Sequence, residues 1–500
     1  LKKDNQIYCK KRVAVFHPFF VIVLLLFSLS SSASYDFTPE TQRAYSEFLK
    51  LKISSGEKHV SRALNEDPNN GIAILFSNFG DVLSVFISED NNLYNKLKKE
   101  EDERIRKIIK LSKDSPYYLF CQAEIKLQWA FVKLKFGDEV NAVWSARQAY
   151  KLLEENNRKY PDFIPNLKSL GLLQIILGSI PDKYSSVANL VGMKGDVNLG
   201  MLQLEKASTT SNPFMEEAKI YRLLADNYIL KHSNSIQKAE ELYSANKDNL
   251  LITFLYSSIM MKNGESDKAL EALKARPVSQ DYYPFPFLNY LTAEIYLFKA
   301  QYSQSKSFYN KFLETYKGKN FIKDAYYKLF LSFWLNNEEE ESKKYIDKIL
   351  RKGQALYDAD KHAQKFAEKG DFPDKILMKC RLYFDGGYYQ EALNILNGFS
   401  AKDNYSLVEF NYRKGRIYHQ LGDYSKAIIF YLKTIELSGN KNYYFAPNSA
   451  LQMGYIYKEQ NNKELARLYF QKALSYQDYE YKNSIDNKAK AAMAELKKKK

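Results

Sequence analysis

The sequence predicts an all-α fold, a superhelical solenoid of stacked helix–turn–helix repeats. Three observations lead there. Residues Cys380, Tyr383, Gly387, Tyr389, Ala392 and Leu396 recur as Gly415, Tyr418, Gly422, Tyr424, Ala427 and Tyr431, one period of about 35 residues later. A third copy stands at Gly454, Tyr457, Asn461, Ala466, Phe470 and Ala473. Each copy puts a small residue and a Tyr on one helix, then a turn, then an Ala and a bulky apolar residue on the next. Paired helices can approach closely at the small residues, and the large side chains fill the space between them. Elsewhere apolar residues follow the 3.6-residue helical period, and no stretch alternates as a strand would. Finally, 45% of the chain is hydrophobic, which is the composition of a folded body.

At the start of the chain, Lys2, Lys3, Lys10, Lys11 and Arg12 precede an apolar run from Phe19 to Leu29 and then the small residues Ser30-Ser31-Ser32-Ala33-Ser34. Basic, apolar and small in that order is the pattern of a secretory signal peptide over residues 1–33, with a mature start at Ser34 or Tyr35. The apolar run is short against the roughly 20 residues of a membrane span, and the alternative is an uncleaved anchor. No later apolar run is long enough to span a membrane. An N-terminal helical domain is expected over 34–210. Thr38-Pro39-Glu40 should start its first helices, over about 38–64. Residues 93–111 are strongly charged, as in a surface helix. Residues 117–157 read as a helix pair turning at Gly137-Asp138, with Ala142, Ala146 and Ala149 as a small-residue stripe. Gly178 through Pro181 should end a helix, Gly192 and Gly195 should turn, and Asp196 should cap the next helix.

Repeats are expected over 211–483. After a weaker unit at 221–244 they are anchored at Ser257/Ala269, Ala293/Ser305, Phe330/Ser342, Cys380/Ala392, Gly415/Ala427 and Gly454/Ala466. Residues 351–372 form an insertion, either a longer helix or an extra turn. Residues 484–500, polar and rich in Ala and Lys, read as a capping helix with a basic tail.

Charge and residue types bound the function. The net charge of +15 becomes +11 once residues 1–33, with five cations and one anion, are removed, which favours anionic partners. The charges are spread along the chain, as on solvated helix faces. Cys9 lies in the targeting segment, and Cys121 and Cys380 read as separate buried thiols, too far apart along a solenoid to pair. The five His, at 17, 59, 232, 362 and 419, have no metal-ligand spacing, so no metal site is expected. Gly192-Met193-Lys194-Gly195-Asp196 lacks the Gly-Lys-Ser/Thr that holds a nucleotide phosphate and its metal, and reads as a helix–helix turn. Glu338–Glu341 suits a helix start better than a cation site. No catalytic residues and no cofactor are expected, and the absence of an aromatic-interleaved basic motif argues against nucleic acid. Lys497–Lys500 offers association with an anionic membrane surface, or a solvated tail.

The recurring spacing resembles the tetratricopeptide repeat, a binding fold. Within 123–207, Leu127-Gln128-Trp129-Ala130, Gly171-Leu172-Leu173, Leu177-Gly178-Ser179-Ile180-Pro181 and Val191-Gly192-Met193-Lys194-Gly195-Asp196 resemble the inclusion-body-clearance proteins and their outer-membrane tetratricopeptide relatives. That resemblance implies a non-enzymatic adaptor. Export, with richness in Lys, Asn and Tyr, points to a bacterial envelope member, periplasmic or secreted.

In tetratricopeptide proteins the first helix of each pair lines a concave groove. The resemblance therefore places Tyr290, Tyr327, Leu377, Tyr412 and Leu451 in one inward row. A second row holds Glu294, Leu331, Arg381, Arg416 and Tyr455, and a third Leu297, Trp334, Phe384, His419 and Lys458. The Lys/Asn clamp of the chaperone-tail binders is absent. The groove so implied is apolar and aromatic at one end, and basic with aromatics at the other. It suits an extended protein segment with acidic and apolar side chains. A glycan or lipid on the same rings is the alternative.

Overall fold

The computed structural model describes residues 35–179, 192–230 and 235–498. The expected signal segment, Ile180 with Pro181, Val191 and the side chains of 497–500 lie outside these. Among the described residues there are helices and no strands. The N-terminal helices are α1 (Pro39–Leu49), α2 (Ile53–Glu66), α3 (Gly71–Ser88), α4 (Asn91–Leu97), α5 (Glu100–Ile109), α6 (Pro116–Lys135), α7 (Glu139–Lys159), α8 (Pro165–Gly178), α9 (Val197–Thr209), α10 (Met215–Ala225) and α11 (Ser235–Ala245). The Thr38 hydroxyl caps α1 by accepting from the Thr41 N–H, with Pro39 in the first turn. The Asp196 carboxylate caps α9 by accepting from Asn198 and Leu199, after a left-handed Gly192.

Two expectations are corrected here. By length and composition α3 could cross a membrane, but 72% of it is buried inside the fold, so it is the core helix of this domain. Residues 93–111 form two helices, and their charges point inward as well as outward. Arg104 is 8% exposed against Asp81, and Glu101 is 4% exposed with its Oε2 2.6 Å from Lys133 Nζ. Partner charges on α3 and α6 make that burial tolerable.

The repeat region comprises α12 (Leu250–Lys262), α13 (Ser266–Lys274), α14 (Phe287–Phe298), α15 (Tyr302–Thr315), α16 (Ile322–Leu335), α17 (Glu339–Arg351), α18 (Asp358–Lys369), α19 (Lys375–Asp385), α20 (Tyr389–Ile395), α21 (Asn404–Gln420), α22 (Tyr424–Ser438), α23 (Phe445–Glu459), α24 (Lys463–Ser475) and α25 (Lys482–Lys498). One turn recurs throughout. Seven positions after each anchor the backbone is left-handed: Gly264, Ala300, Asn337, Gly387, Gly422 and Asn461 have φ from 55° to 86°. Five positions further on lies a buried small residue: Ala269, Ser305, Ser342, Ala392, Ala427 or Ala466. The same register holds at Ala44, Leu51 (φ 63°) and Gly56 in α1–α2, and at Ala130, Gly137 (φ 80°) and Ala142 in α6–α7. All eight turns close in one way. The N–H one residue past the left-handed position donates to the carbonyl five residues back, as from Tyr388 to Tyr383 and Asn462 to Tyr457, at 2.8–3.0 Å. This is the Schellman closure, which satisfies a carbonyl that the helix end would leave open.

Close approach is then a matter of side-chain size. A Cβ added at Gly415 would lie 2.6 Å from the Tyr431 ring, and one at Gly454 2.5 Å from the Phe470 ring. The array also curves back on itself. The turn of α12–α13 meets that of α19–α20, where a Cβ on Gly387 would sit 1.7 Å from the Gly264 carbonyl oxygen. Asp267 there accepts from Tyr388 at 3.0 Å and pairs with Lys299 at 2.6 Å. On the opposite edge, at the loops between pairs, the N-terminal helices lie alongside. Tyr283 N–H donates to the Leu51 carbonyl at 2.8 Å, Lys50 pairs with Asp248 at 2.6 Å, and Asn320 donates to Glu89 at 2.6 Å. The insertion is an extra helix, α18, and α25 packs against α24 and α23. The anchor register predicts that Ala427→Leu overpacks the α21–α22 contact. It should lower the unfolding free energy by about 1–3 kcal/mol, while Ile429→Leu, at an exposed position two residues on, changes it little; denaturant titration reads both.

Candidate functional site

The three inward rows meet different fates, because α18 lies against their first half. Tyr327 is 5% exposed, its ring 4.8 Å from Phe366 and 5.3 Å from His362, both on α18. Asp360 anchors α18 by accepting from the Phe321 and Asp324 N–H groups at the start of α16. Trp334 packs edge-on to Phe372 and donates its indole N–H to the Pro373 carbonyl at 3.0 Å. Tyr290 is buried and donates to Asp324 at 2.5 Å. These three side chains are packing groups, and the aromatic end of the expected groove is filled by the chain itself. Leu297, Leu331, Leu377 and Leu451 are likewise buried. Glu294 pairs with Lys328 at 3.1 Å, Lys458 pairs with Glu495, and Tyr455 packs on Phe470. His419 lies against the Tyr431 hydroxyl at 3.3 Å.

Arg381, Phe384, Tyr412 and Arg416 do come together. They line a cavity of about 190 Å³ with Cys380, Asp385, Arg413, Ile417, Tyr444 and Tyr481. Helices α19 and α21 supply the arginines from successive units. Tyr444 and Tyr481 enter from the loops before α23 and α25, their rings 5.3 Å apart. An ion pair from Lys365 of α18 to Glu480 ties that last loop down.

The charges are unevenly satisfied. Arg413 forks onto Glu409, through Nε at 2.9 Å and through Nη2. Arg381 Nε lies 3.5 Å from the Asp385 carboxylate, one turn further along the same helix. Arg416 has no carboxylate within ion-pair distance among the described residues. It donates to the Tyr412 hydroxyl at 2.9 Å and lies 4.8 Å over the Phe384 ring, and its Nε is buried without a partner. The walls thus carry three cations and one anion. Asp385, four residues after Arg381, and Arg413, three before Arg416, share helix faces with residues the sequence had singled out, and that spacing was the available signal. Tyr444 and Tyr481 had none, since loops between units place them. Cys380 forms part of the wall, but burial pushes its thiol up to about 12, far from a reactive thiolate. It and Cys121 are both free and buried.

A second charged cluster is closed. Lys168, 1% exposed, lies 2.7 Å from Glu124 and 3.0 Å from Glu217, over the Phe214 ring. Tyr45 and Tyr221 hydroxyls also donate to Glu217. Every charge there has a partner from the chain, so it joins α1, α6, α8 and α10 and leaves nothing for a ligand.

The fold and this cavity define an all-α helical-repeat solenoid with a basic, aromatic-walled recess and no catalytic constellation among the described residues. Two of its units are tetratricopeptide repeats: that family's model matches residues 408–441 and 447–478, which are α21–α22 and α23–α24. No curated protein matches the chain in sequence. Similar solved structures include the P58(IPK) TPR domain, at 13% identity over 83% of this chain and 99% of that one, with a TM-score of 0.21. Another is a human IFIT1 dimer with PPP-AAAA, at 13% identity over 90% and 99%, TM-score 0.30. A third is Naa15/Naa10 bound to HypK-THB, at 14% identity over 91% and 64%, TM-score 0.25.

His419 gives a pH test of this region. Burial, aided by the Arg416 charge and opposed by Glu459, pushes its imidazole down to about 4. Between that value and the ordinary 6.5 the unfolded chain binds a proton that the folded chain refuses. Stability should therefore fall as pH drops from 6.5 to 4, by up to about 3 kcal/mol. His419→Gln should flatten that part of the profile in melts run from pH 7 to pH 4.

Proposed function

We propose that the protein is a non-catalytic scaffold of the cell envelope that grips an acidic segment of a protein partner at the arginine cavity. The observation that carries this reading is Arg416, a guanidinium held in an aromatic recess without a carboxylate of its own. A cation so placed gains most from an anion brought by another molecule, because its surroundings screen less than water does. Tyr444 and Tyr481 beside it supply aromatic contact for flanking side chains. Tetratricopeptide repeats, as a class, hold proteins together and are generally not enzymes. A glycan stacked on the same rings is less favoured, since Arg416 already covers Phe384.

Export belongs to the same proposal. It rests on the basic–apolar–small order of residues 1–34, and the envelope assignment on the richness in Lys, Asn and Tyr. N-terminal sequencing of the envelope fraction should find Ser34 or Tyr35 first; recovery of residues 1–33 would make the protein anchored instead.

The cavity itself is tested with a fluorescent synthetic peptide that alternates Glu and Leu. Arg381→Glu with Arg416→Glu should weaken its binding at least tenfold, with helical content unchanged by circular dichroism. Wild-type affinity in the double variant would move the binding surface elsewhere.

A further inference from the structure

The cavity has more open donors than one carboxylate can use. The geometry points to a phosphoryl group, a dianionic tetrahedral oxyanion carried by the partner's side chain, as the acidic group that this cavity takes. The inference rests on the proposed scaffold reading and sharpens its ligand. Donor number is the first support. Arg381 makes no hydrogen bond among the described residues, only its 3.5 Å approach to Asp385. Arg413 spends Nε and one Nη2 hydrogen on Glu409, and Arg416 spends one Nη1 hydrogen on Tyr412. Tyr444 and Tyr481 line the same cavity, and their hydroxyls have no partner among the described residues. Two guanidinium edges and two phenols around one small space match three terminal oxygens better than the two of a carboxylate.

Charge is the second support. Three arginines face Asp385 and the Glu409 that forks with Arg413, which leaves one positive charge in excess for an anionic head. Size is the third. About 190 Å³ is enough for one oxyanion head and the atoms that carry it, but not for an extended segment lying inside. The Tyr444 and Tyr481 rings would meet the side-chain atoms that carry the head.

The test titrates the full chain by calorimetry with phenyl phosphate and with phenylacetate, which share the ring and differ in the head. Phenyl phosphate should bind at least tenfold tighter, and its affinity should rise between about pH 5.5 and 7.5 as its second proton leaves, near pH 6. Phenylacetate should show no such rise. Arg416→Met should cut phenyl phosphate affinity tenfold or more. Tyr481→Phe, at a half-exposed position that the fold tolerates, should cut it about threefold, roughly the scale of one neutral hydrogen bond. Equal or tighter binding of phenylacetate would overturn the phosphoryl inference and leave the acidic-segment reading standing. Binding of neither probe would overturn both. Phenyl phosphate binding that survives Arg416→Met and Tyr481→Phe unchanged would overturn the assignment to this cavity. A phosphotyrosine peptide and vesicles of phosphatidylcholine with phosphatidic acid separate the carriers: peptide binding supports the inference, and vesicle binding alone would overturn it.

Discussion

Each helix pair turns through one left-handed residue, closes with one Schellman hydrogen bond, and buries one small residue five positions later. The rest of the structure depends on that constraint. The closure fixes where the second helix starts, and the small residue fixes how near it lies to the first. Non-glycine residues accept the left-handed cost at Leu51, Ala300, Asn337 and Asn461, because the bond satisfies a carbonyl that would otherwise stay open. Glycine does something further at two positions. Gly264 and Gly387 let two turns touch backbone to backbone, which a side chain at Gly387 would forbid. The curvature of the array passes through that contact.

Curvature then decides what the inner face can offer. A gently curved array of these units would leave its inward rows open. Here α18 covers Tyr327, while the loops before α23 and α25 bring Tyr444 and Tyr481 over Arg381 and Arg416. Charges inside the body divide accordingly. Lys168 is fully compensated by Glu124 and Glu217, and burial raises the Glu124 carboxyl despite its lysine partner. Glu294 and Lys328 compensate each other. Arg416 alone among the groove residues leans on a phenol and a ring, and that imbalance is the physical basis for an anionic ligand.

Much of this was legible in the sequence, and the limits have physical causes. The last three pairs announced themselves because Gly, Ala and aromatic residues differ strongly in size, so their spacing stands out. The same register in α1–α2 was hidden by Leu51 at the left-handed position and by Gly56 where an Ala would be recognised. The surface reading of 93–111 missed that Glu101 and Arg104 have partners on other helices. Arg381, Phe384, Tyr412 and Arg416 were found from repeat equivalence, which holds within one helix face. Tyr290, Tyr327 and Trp334 obeyed the same rule yet lie in the core, because the rule says nothing of an inserted helix. An insertion was visible at 351–372, but its seat was set by Asp360 capping α16, a contact no spacing reveals.

The first and fourth turns of the main array meet at Gly264 and Gly387, beside the α19 helix that carries Arg381 into the cavity. Asp267→Cys with Tyr388→Cys places two thiols at this contact, and the native Cys121 and Cys380 are buried. Treatment with a short bismaleimide, followed by peptide mapping, measures it directly. The account predicts a high yield of the intramolecular 267–388 cross-link in the native protein and none in denaturant. Normal labelling of each single thiol without the cross-link would contradict it and would open the array.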